Sequence, residues 1–204
     1  SSTIPNCLSY DPAFAYELAV IFKYGIKKMF VDLENYFYYI TVTNENYLQP
    51  SQPKDSEEGI IKGLYKLKAH KNPKVTLIGS GSILNASIKA QDILDSFGIE
   101  SDVWSATSFN MLRKDGMEKQ RFNELNPSSS PKPTYVEECL PDESIPVIAT
   151  TDYIRAYPEQ IRSFVKAPFY TLGTDGYGRS DSRKKLREFF EIDANNIARI
   201  AVYS

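Results

Sequence analysis

The densest group of side chains that could do chemistry lies in one segment, GTDGYGRSDSR, at residues 173–183. This segment follows a predicted strand, and open α/β sheets place their functional loops at the carboxyl ends of strands. Arginine can bind a carboxylate or a phosphate through paired hydrogen bonds, and aspartate can cap a following helix. The candidate functional or interface residues of this loop are Asp175, Tyr177, Arg179, Asp181 and Arg183.

For catalysis, the same segment has a simpler interpretation, which we prefer. Its glycines permit a turn, Asp175 or Asp181 caps the helix that follows, and the basic residues from Arg183 onward form a solvated helix face. The sequence therefore identifies no catalytic, cofactor-binding or metal-binding residue in this chain.

A second candidate is the turn at residues 79–82, Gly-Ser-Gly-Ser, which joins a predicted strand to a predicted helix. Free backbone N–H groups and the helix dipole at such a turn can hold an anion. However, the third glycine of a dinucleotide-binding fingerprint falls at Leu84, and the lysine of a P-loop is absent. The pattern favours a tight turn that needs small residues, with a nucleotide- or anion-binding module as the alternative function.

The remaining reactive residue types exclude several classes of site. His70 is the only histidine, which leaves few ways to build a Ser/His/Asp triad or a zinc site, and its polar surroundings predict an exposed loop. Cys7 and Cys139 stand far apart and form no CxxC pair, as is typical of reduced cytoplasmic thiols.

The glutamates form no recognisable acid/base pair, so we expect surface solvation for all of them. They include Glu17, Glu34, Glu45, Glu57, Glu58, Glu137 and Glu138.

The charge balance and the hydropathy of the sequence argue against two classes of partner, nucleic acids and membranes. The 204 residues contain 24 Lys+Arg and 26 Asp+Glu, and a formal net charge of -2 gives no reason to expect nucleic acid. No apolar run approaches the roughly 20 residues that span a bilayer, and the N-terminus lacks the features of a secretory signal. We therefore expect a cytoplasmic protein with neither a nucleic-acid nor a membrane partner.

Strand and helix patterns alternate along most of the chain. Asp11 as N-cap and Pro12 at the first helical position predict a helix that ends near Phe30. The apolar pattern at 36–43 predicts a strand that is buried on both faces. From residue 57 onward, the alternation predicts an α/β fold with a mostly parallel, doubly wound sheet. The other predicted strands lie at 74–81, 102–107, 146–152 and 169–175, and the other helices at 82–97, 153–165, 183–190 and from 193 onward.

Seven collinear strings cover nearly the whole chain and resemble one family. They are TIPNCLSYDPAFAYELAVI (3–21), YYITVTNENY (38–47), EEGIIKGLYKL (57–67), LIGSGSIL (77–84), DVWSATSFNMLRKDG (102–116), ATTDYIRAYPEQIRSFV (149–165) and GTDGYGRSDSRKKLREFFEID (173–193). The chain resembles the homodimeric, thiamine-dependent pyruvate dehydrogenase that is the first component of many bacterial pyruvate dehydrogenase complexes. Pro158 departs from this pattern, because it should kink or restart a helix.

This resemblance implies a transketolase-like architecture. Residues 1–48 resemble the last helix and strand of the middle, pyrimidine-side domain, residues 49–56 a linker, and residues 57–204 the transketolase C-terminal-like domain. The family binds thiamine diphosphate and Mg²⁺, decarboxylates pyruvate and reductively acetylates the lipoyl group of the acetyltransferase component. Another transketolase-like 2-oxo acid dehydrogenase is the alternative parent.

The family's cofactor-binding residues have no counterpart at the numbered positions of this sequence. Asp175-Gly176 followed by Asn195-Asn196 is similar to the GDG...NN metal motif, but Thr174 replaces the first glycine and the interval is too short. We therefore expect a C-terminal fragment that binds no thiamine diphosphate, is inactive alone, and has a structural role at the dimer interface.

Overall fold

The computed structural model describes residue 1 and residues 3–204, and it contains a two-stranded and a five-stranded β-sheet. The strands are β1 (Cys7–Tyr10), β2 (Phe37–Ile40), β3 (Tyr65–Lys68), β4 (Val75–Gly79), β5 (Ser101–Ser105), β6 (Val147–Thr150) and β7 (Phe169–Leu172). The α-helices are α1 (Ala15–Ile26), α2 (Glu57–Lys62), α3 (Leu84–Ser96), α4 (Phe109–Leu125), α5 (Tyr135–Cys139), α6 (Arg183–Phe189) and α7 (Ala194–Tyr203). None of the described helices combines the length and apolar character of a membrane span.

The five-stranded sheet has the order β3-β5-β4-β6-β7. Strands β5, β4, β6 and β7 are parallel, and only the edge strand β3, which the sequence patterns did not predict, is antiparallel to its neighbour. After the edge strand β3, the chain enters the middle of the sheet with β4, adds β5 on one side, and then crosses to β6 on the other. This topology confirms the predicted α/β fold with a mostly parallel, doubly wound sheet.

Helices cover both faces of this sheet, which explains why its central strands are apolar throughout. Successive residues such as Leu77 and Ile78 point to opposite faces. One face packs on α3 and α7, and the other packs on α4, α5 and a 3₁₀-helix at Pro158–Phe164. Burial of each large aliphatic side chain contributes roughly 1.5–3 kcal/mol.

The two-stranded sheet differs from its prediction. Strand β1, which the sequence patterns missed, is fully buried and pairs in parallel with β2. Strand β2 forms where it was predicted, but Phe37 and Tyr39 on its outer face are exposed. The prediction of a strand buried on both faces is therefore wrong for the described chain, because no second layer packs on that face.

The start of α1 also differs from its prediction. The N-cap is Phe14, not Asp11, and the backbone N–H groups of Ala13 and Phe14 both donate to the carboxylate of Glu17. Asp11 accepts hydrogen bonds from other parts of the chain instead. The helix continues beyond α1 as a π-helical turn at Lys27–Val31, close to the predicted end.

The predicted helix at 153–165 is only partly formed. Its regular part is the 3₁₀-helix at Pro158–Phe164, with the proline at its first turn. Proline has no N–H to donate to the preceding turn, so the residues before it do not continue as one helix. The predicted restart at Pro158 is confirmed, and Tyr153 and Tyr157 are free to turn toward Asp11.

The predicted linker has no regular secondary structure, and its neighbourhood is tied to the rest of the chain. Tyr47 donates its hydroxyl to the carbonyl of Ala13, and Glu45 forms an ion pair with Arg187. The division into residues 1–48, 49–56 and 57–204 stays a prediction.

The turn after β4 is tight. An ideal Cβ on Gly79 would lie 2.5 Å from the Cα of Leu84, and Gly81 has a φ of +54°. The N–H groups of Ser80 and Gly81 donate to the carbonyls of Thr150 and Asp11. These contacts use donors that an anion would need, so they support the tight-turn interpretation.

We expect Gly79→Ala to destabilise the fold by about 1–3 kcal/mol, because the added methyl group meets backbone that cannot move aside. Gly178→Ala is the matched control, since its Cβ would meet nothing within 4 Å. The control should change the free energy of unfolding by less than about 0.5 kcal/mol. Urea unfolding of both variants tests this, and equal midpoints would contradict the close packing at Gly79.

Candidate functional site

The loop at residues 173–183 follows β7, as predicted, but it does not gather its five candidate residues into one site. The Nε of Arg155 lies 2.5 Å from the Oδ2 of Asp175, and the backbone N–H of Arg155 donates to Oδ1. This contact lowers the pKa of Asp175. Tyr177, at the tip of the loop, is 93% exposed.

The other three candidates lie at the base of the loop. Arg179 places its guanidinium 5.0 Å from the centre of the Phe189 ring, and Arg183 donates to the side-chain oxygen of Asn44. Asp181 accepts the N–H of the adjacent Ser182. The helix cap is Ser182, so the prediction that Asp175 or Asp181 caps α6 is wrong.

A buried carboxylate at the junction of the two sheets was missed by the sequence patterns. Glu17 is 0% exposed, so its predicted surface position is wrong. Its Oε1 lies 2.6 Å from both the Tyr65 hydroxyl and the Ser105 hydroxyl, and its Oε2 accepts the N–H groups of Ala13 and Phe14. Glu17 stands three residues after the N-cap, where a carboxylate can reach back to the preceding backbone, but the cap is Phe14 and not the Ser or Thr by which this motif is recognised.

Burial raises the pKa of Glu17, although its four hydrogen bonds act in the opposite direction. Tyr65 also lies 2.6 Å from the hydroxyl of Tyr16, and burial raises the pKa of Tyr16 to about 12. The three groups form a chain of hydrogen-bonding oxygens. A protonated Glu17 can donate to Tyr65, which can then donate to Tyr16.

A second buried carboxylate lies at the end of β1. The Asp11 side chain accepts hydroxyl groups from Thr41 at 2.6 Å, Tyr153 at 2.9 Å and Tyr157 at 2.5 Å. Burial and the charge of Asp11 raise the pKa of Tyr153 to about 12. Asp11 and both tyrosines line a cavity of about 900 Å³ that also includes Arg113. Three donors already bind this carboxylate, so its arrangement is that of a structural anchor.

His70 lies in a loop, as predicted, but it is half-buried and not exposed. Its backbone N–H donates to Asp102, and its Nδ1 lies 2.7 Å from the carbonyl oxygen of Ser101. Because a carbonyl only accepts, Nδ1 carries the proton in this contact. These bonds tie the loop to β5 and leave His70 a structural role.

The described residues do not fit a site for Mg²⁺ and a diphosphate. They include no group of three His, Cys, Asp or Glu side chains that could hold a metal ion. Asp175 is bound to Arg155, and Asn196 donates to Asp193, which is the true N-cap of α7. Both cysteines are free thiols, one buried and one half-buried. The described side chains therefore offer no set of ligands for Mg²⁺ and a diphosphate.

Two family models match this chain. Residues 63–193 match the transketolase-like C-terminal domain, and residues 1–50 match the middle domain of the pyruvate dehydrogenase E1 component. Residues 51–62, which include α2, lie between the two matches.

Curated relatives are similar over nearly the whole chain. The pyruvate dehydrogenase E1 component of Pseudomonas aeruginosa is 56% identical over 198 residues, which cover 95% of this chain and 22% of the relative. Those of Cupriavidus necator and Escherichia coli are each 48% identical, covering 94% and 97% of this chain and 22% of each relative. The chain thus spans about a fifth of the length of these relatives.

Solved structures share the fold at low sequence identity. Transketolase from Leishmania mexicana has a TM-score of 0.68 at 20% identity. The aligned region covers 99% of this chain and 26% of the transketolase chain. Transketolase from Campylobacter jejuni has a TM-score of 0.69 at 18% identity, with coverage of 98% and 26%. These likenesses support the fold alone.

Glu17→Gln tests the buried carboxylate. Because its folded-state pKa lies above the unfolded value, the protonated acid stabilises the fold, and this contribution is lost as the pH rises through the folded-state pKa. We expect the wild-type advantage over Glu17→Gln to be largest below about pH 4.3, the ordinary pKa of glutamate, and to shrink at higher pH.

Urea unfolding across this pH range measures the difference directly. Glu118→Gln is the matched control, since Glu118 is an exposed glutamate on α4, and its difference from wild type should stay nearly constant. A wild-type advantage over Glu17→Gln that grows with pH would show that the carboxylate form is the stabilising one.

Proposed function

The chain belongs to the transketolase-like C-terminal domain family, and from this premise we propose that it forms the C-terminal part of a pyruvate dehydrogenase E1 component. The observation that carries the proposal is the 56% identity over 95% of the chain to a relative of that name. The match of residues 1–50 to the middle domain of the same component supports it independently of the C-terminal match.

The proposed parent enzyme is a cytoplasmic oxidoreductase and a homodimer. It decarboxylates pyruvate with thiamine diphosphate and Mg²⁺ and passes the two-carbon unit to a lipoyl group on the acetyltransferase component. We propose that the residues that hold the cofactor lie outside this chain, since its described residues include no group of three His, Cys, Asp or Glu side chains that could hold a metal ion. On this proposal, the chain alone is inactive.

The contribution of this chain is to fix the C-terminal domain against the middle domain. Glu17 and Asp11, both in the part that matches the middle domain, accept hydrogen bonds from Tyr65, Ser105 and Tyr157 in the C-terminal part. A hydrogen bond within a protein contributes about 0.5–1.5 kcal/mol net, and removing one partner so that the other stays buried and unpaired costs about 1–3 kcal/mol.

An exposed apolar surface on the first sheet fits contact with the rest of a middle domain. Strands of parallel sheets are normally covered on both faces. Here the outer face of β2, the end of α1 and the π-helical turn that follows α1 expose apolar side chains. The side chains of this surface that are more than two-fifths exposed are Phe22, Ile26, Phe30, Val31, Leu33, Phe37 and Tyr39.

The loop at 173–183 is proposed as a contact with the second subunit. Tyr177 stands at its tip, and a large exposed aromatic side chain is the type of residue that anchors protein interfaces. The ion pair of Asp175 with Arg155 holds the loop against the segment that follows β6.

The complete protein should decarboxylate pyruvate when thiamine diphosphate, Mg²⁺ and a lipoyl domain are supplied. Mass spectrometry of the lipoyl domain detects its acetylation. Supplying 2-oxoglutarate or a ketose phosphate in place of pyruvate separates this activity from that of other transketolase-like enzymes. Turnover of one of those substrates without turnover of pyruvate would contradict the proposed substrate.

The 204-residue chain alone should neither bind thiamine diphosphate nor turn over pyruvate. Isothermal titration calorimetry with the cofactor, in the presence and absence of Mg²⁺, measures the binding. Tight binding that depends on Mg²⁺ would overturn the proposal that the cofactor site lies outside this chain.

Tyr177→Ala in the complete protein should weaken dimerisation about tenfold or more, the effect expected of an aromatic interface anchor. Phe97→Ala is the control, because Phe97 is 75% exposed on a different part of the C-terminal domain. Sedimentation equilibrium measures both dissociation constants. Equal constants for the two variants would exclude Tyr177 from the interface.

A further inference from the structure

A cavity of about 270 Å³ lies between the loops that follow β6 and β7 and the helix α6. It therefore opens at the carboxyl edge of the sheet, where open α/β sheets bind their ligands. Its volume lies near the lower end of the range for small-molecule sites, so it suits a small ligand. Its charged lining residues are Asp152, Arg179, Arg183 and Arg187.

The three arginines of this cavity differ in how they are paired. Arg187 donates to both carboxylate oxygens of Glu45, at 3.0 and 2.5 Å, and this pair lowers the pKa of Glu45. Within the described residues, the arginine ion pairs involve only Arg155, Arg162, Arg187 and Arg199. Arg179 and Arg183 thus face the cavity without a carboxylate partner, and they outnumber Asp152 on its wall.

Both unpaired arginines are held in place by neutral groups. Arg179 stacks on the ring of Phe189, and one amino group of Arg183 donates to the side chain of Asn44. Both arginines are exposed, and these contacts place no carboxylate against either guanidinium group. Most of their N–H donors therefore remain free for a ligand.

The rest of the lining sets the shape of the ligand. Gly176 and Gly178 place no side chain in the cavity, and nothing lies within 4 Å of where their Cβ atoms would be. Leu186, Phe190 and Ile192 form an apolar wall. The cavity thus offers arginines to a compact anionic group and an apolar wall to a small apolar part of the same ligand.

We propose that this cavity binds a phosphoryl group, as inorganic phosphate or as a small phosphate monoester, between Arg179 and Arg183. A phosphoryl dianion matches two guanidinium forks in charge and in hydrogen-bond geometry. Tyr177 does not line this cavity, so the proposal does not depend on the proposed dimer contact or on the pyruvate reaction.

Isothermal titration calorimetry with inorganic phosphate, at constant ionic strength in chloride, tests the site in the complete protein. Saturable binding is expected, and Arg179→Gln and Arg183→Gln should each raise the dissociation constant about tenfold or more, the effect of losing a charged hydrogen-bonding partner. Lys185→Gln removes the same charge from α6 outside the cavity and should leave the constant unchanged.

Two further measurements keep the result decisive. Unfolding midpoints in chloride show whether a variant has lost its fold, and Arg179→Lys should bind with intermediate affinity because it keeps the charge but not the fork. Titration with glycerol 3-phosphate then separates a monoester site from one for free phosphate. Absence of saturable binding, or equal weakening by Lys185→Gln, would overturn the proposal.

Discussion

The carboxylate of Glu17 has no contact with solvent, and four donors from three parts of the chain converge on it. Two donors are the backbone N–H groups at the start of its own helix, and two are hydroxyl groups on β3 and β5. A buried carboxyl group is tolerated only when its oxygens are hydrogen-bonded, so these elements must meet at one point. The start of α1 and the edge of the large sheet are therefore positioned by the same group.

Asp11 extends this constraint to the opposite side of the junction. Its carboxylate is the acceptor for Tyr153 and Tyr157, which lie in the irregular segment between β6 and the 3₁₀-helix. That segment is irregular because Pro158 prevents a continuous helix, and the irregular backbone brings both hydroxyl groups to Asp11. Pro158, which interrupts the helix, thus makes the contact of both tyrosines with Asp11 possible.

The doubly wound sheet was predictable from the sequence because its strands are apolar, its helices are periodic and its turns are marked by glycine. The short strands β1 and β3 were not, since four residues carry too little pattern to separate a strand from a loop. Glu17 was placed at the surface because base rates favour solvated glutamates, and only its partners on β3 and β5 show otherwise.

The candidate loop was located correctly, but its five residues divide into groups that the sequence could not separate. Asp175 and Tyr177 belong to an exposed tip, whereas Arg179 and Arg183 line a cavity whose other walls come from the loop after β6 and from α6. The ion pairing of the cavity depends on Glu45, which is far away in sequence and pairs with Arg187 and not with Arg179 or Arg183. The charge of the cavity is thus a property of the folded chain, set by which arginine receives the available carboxylate.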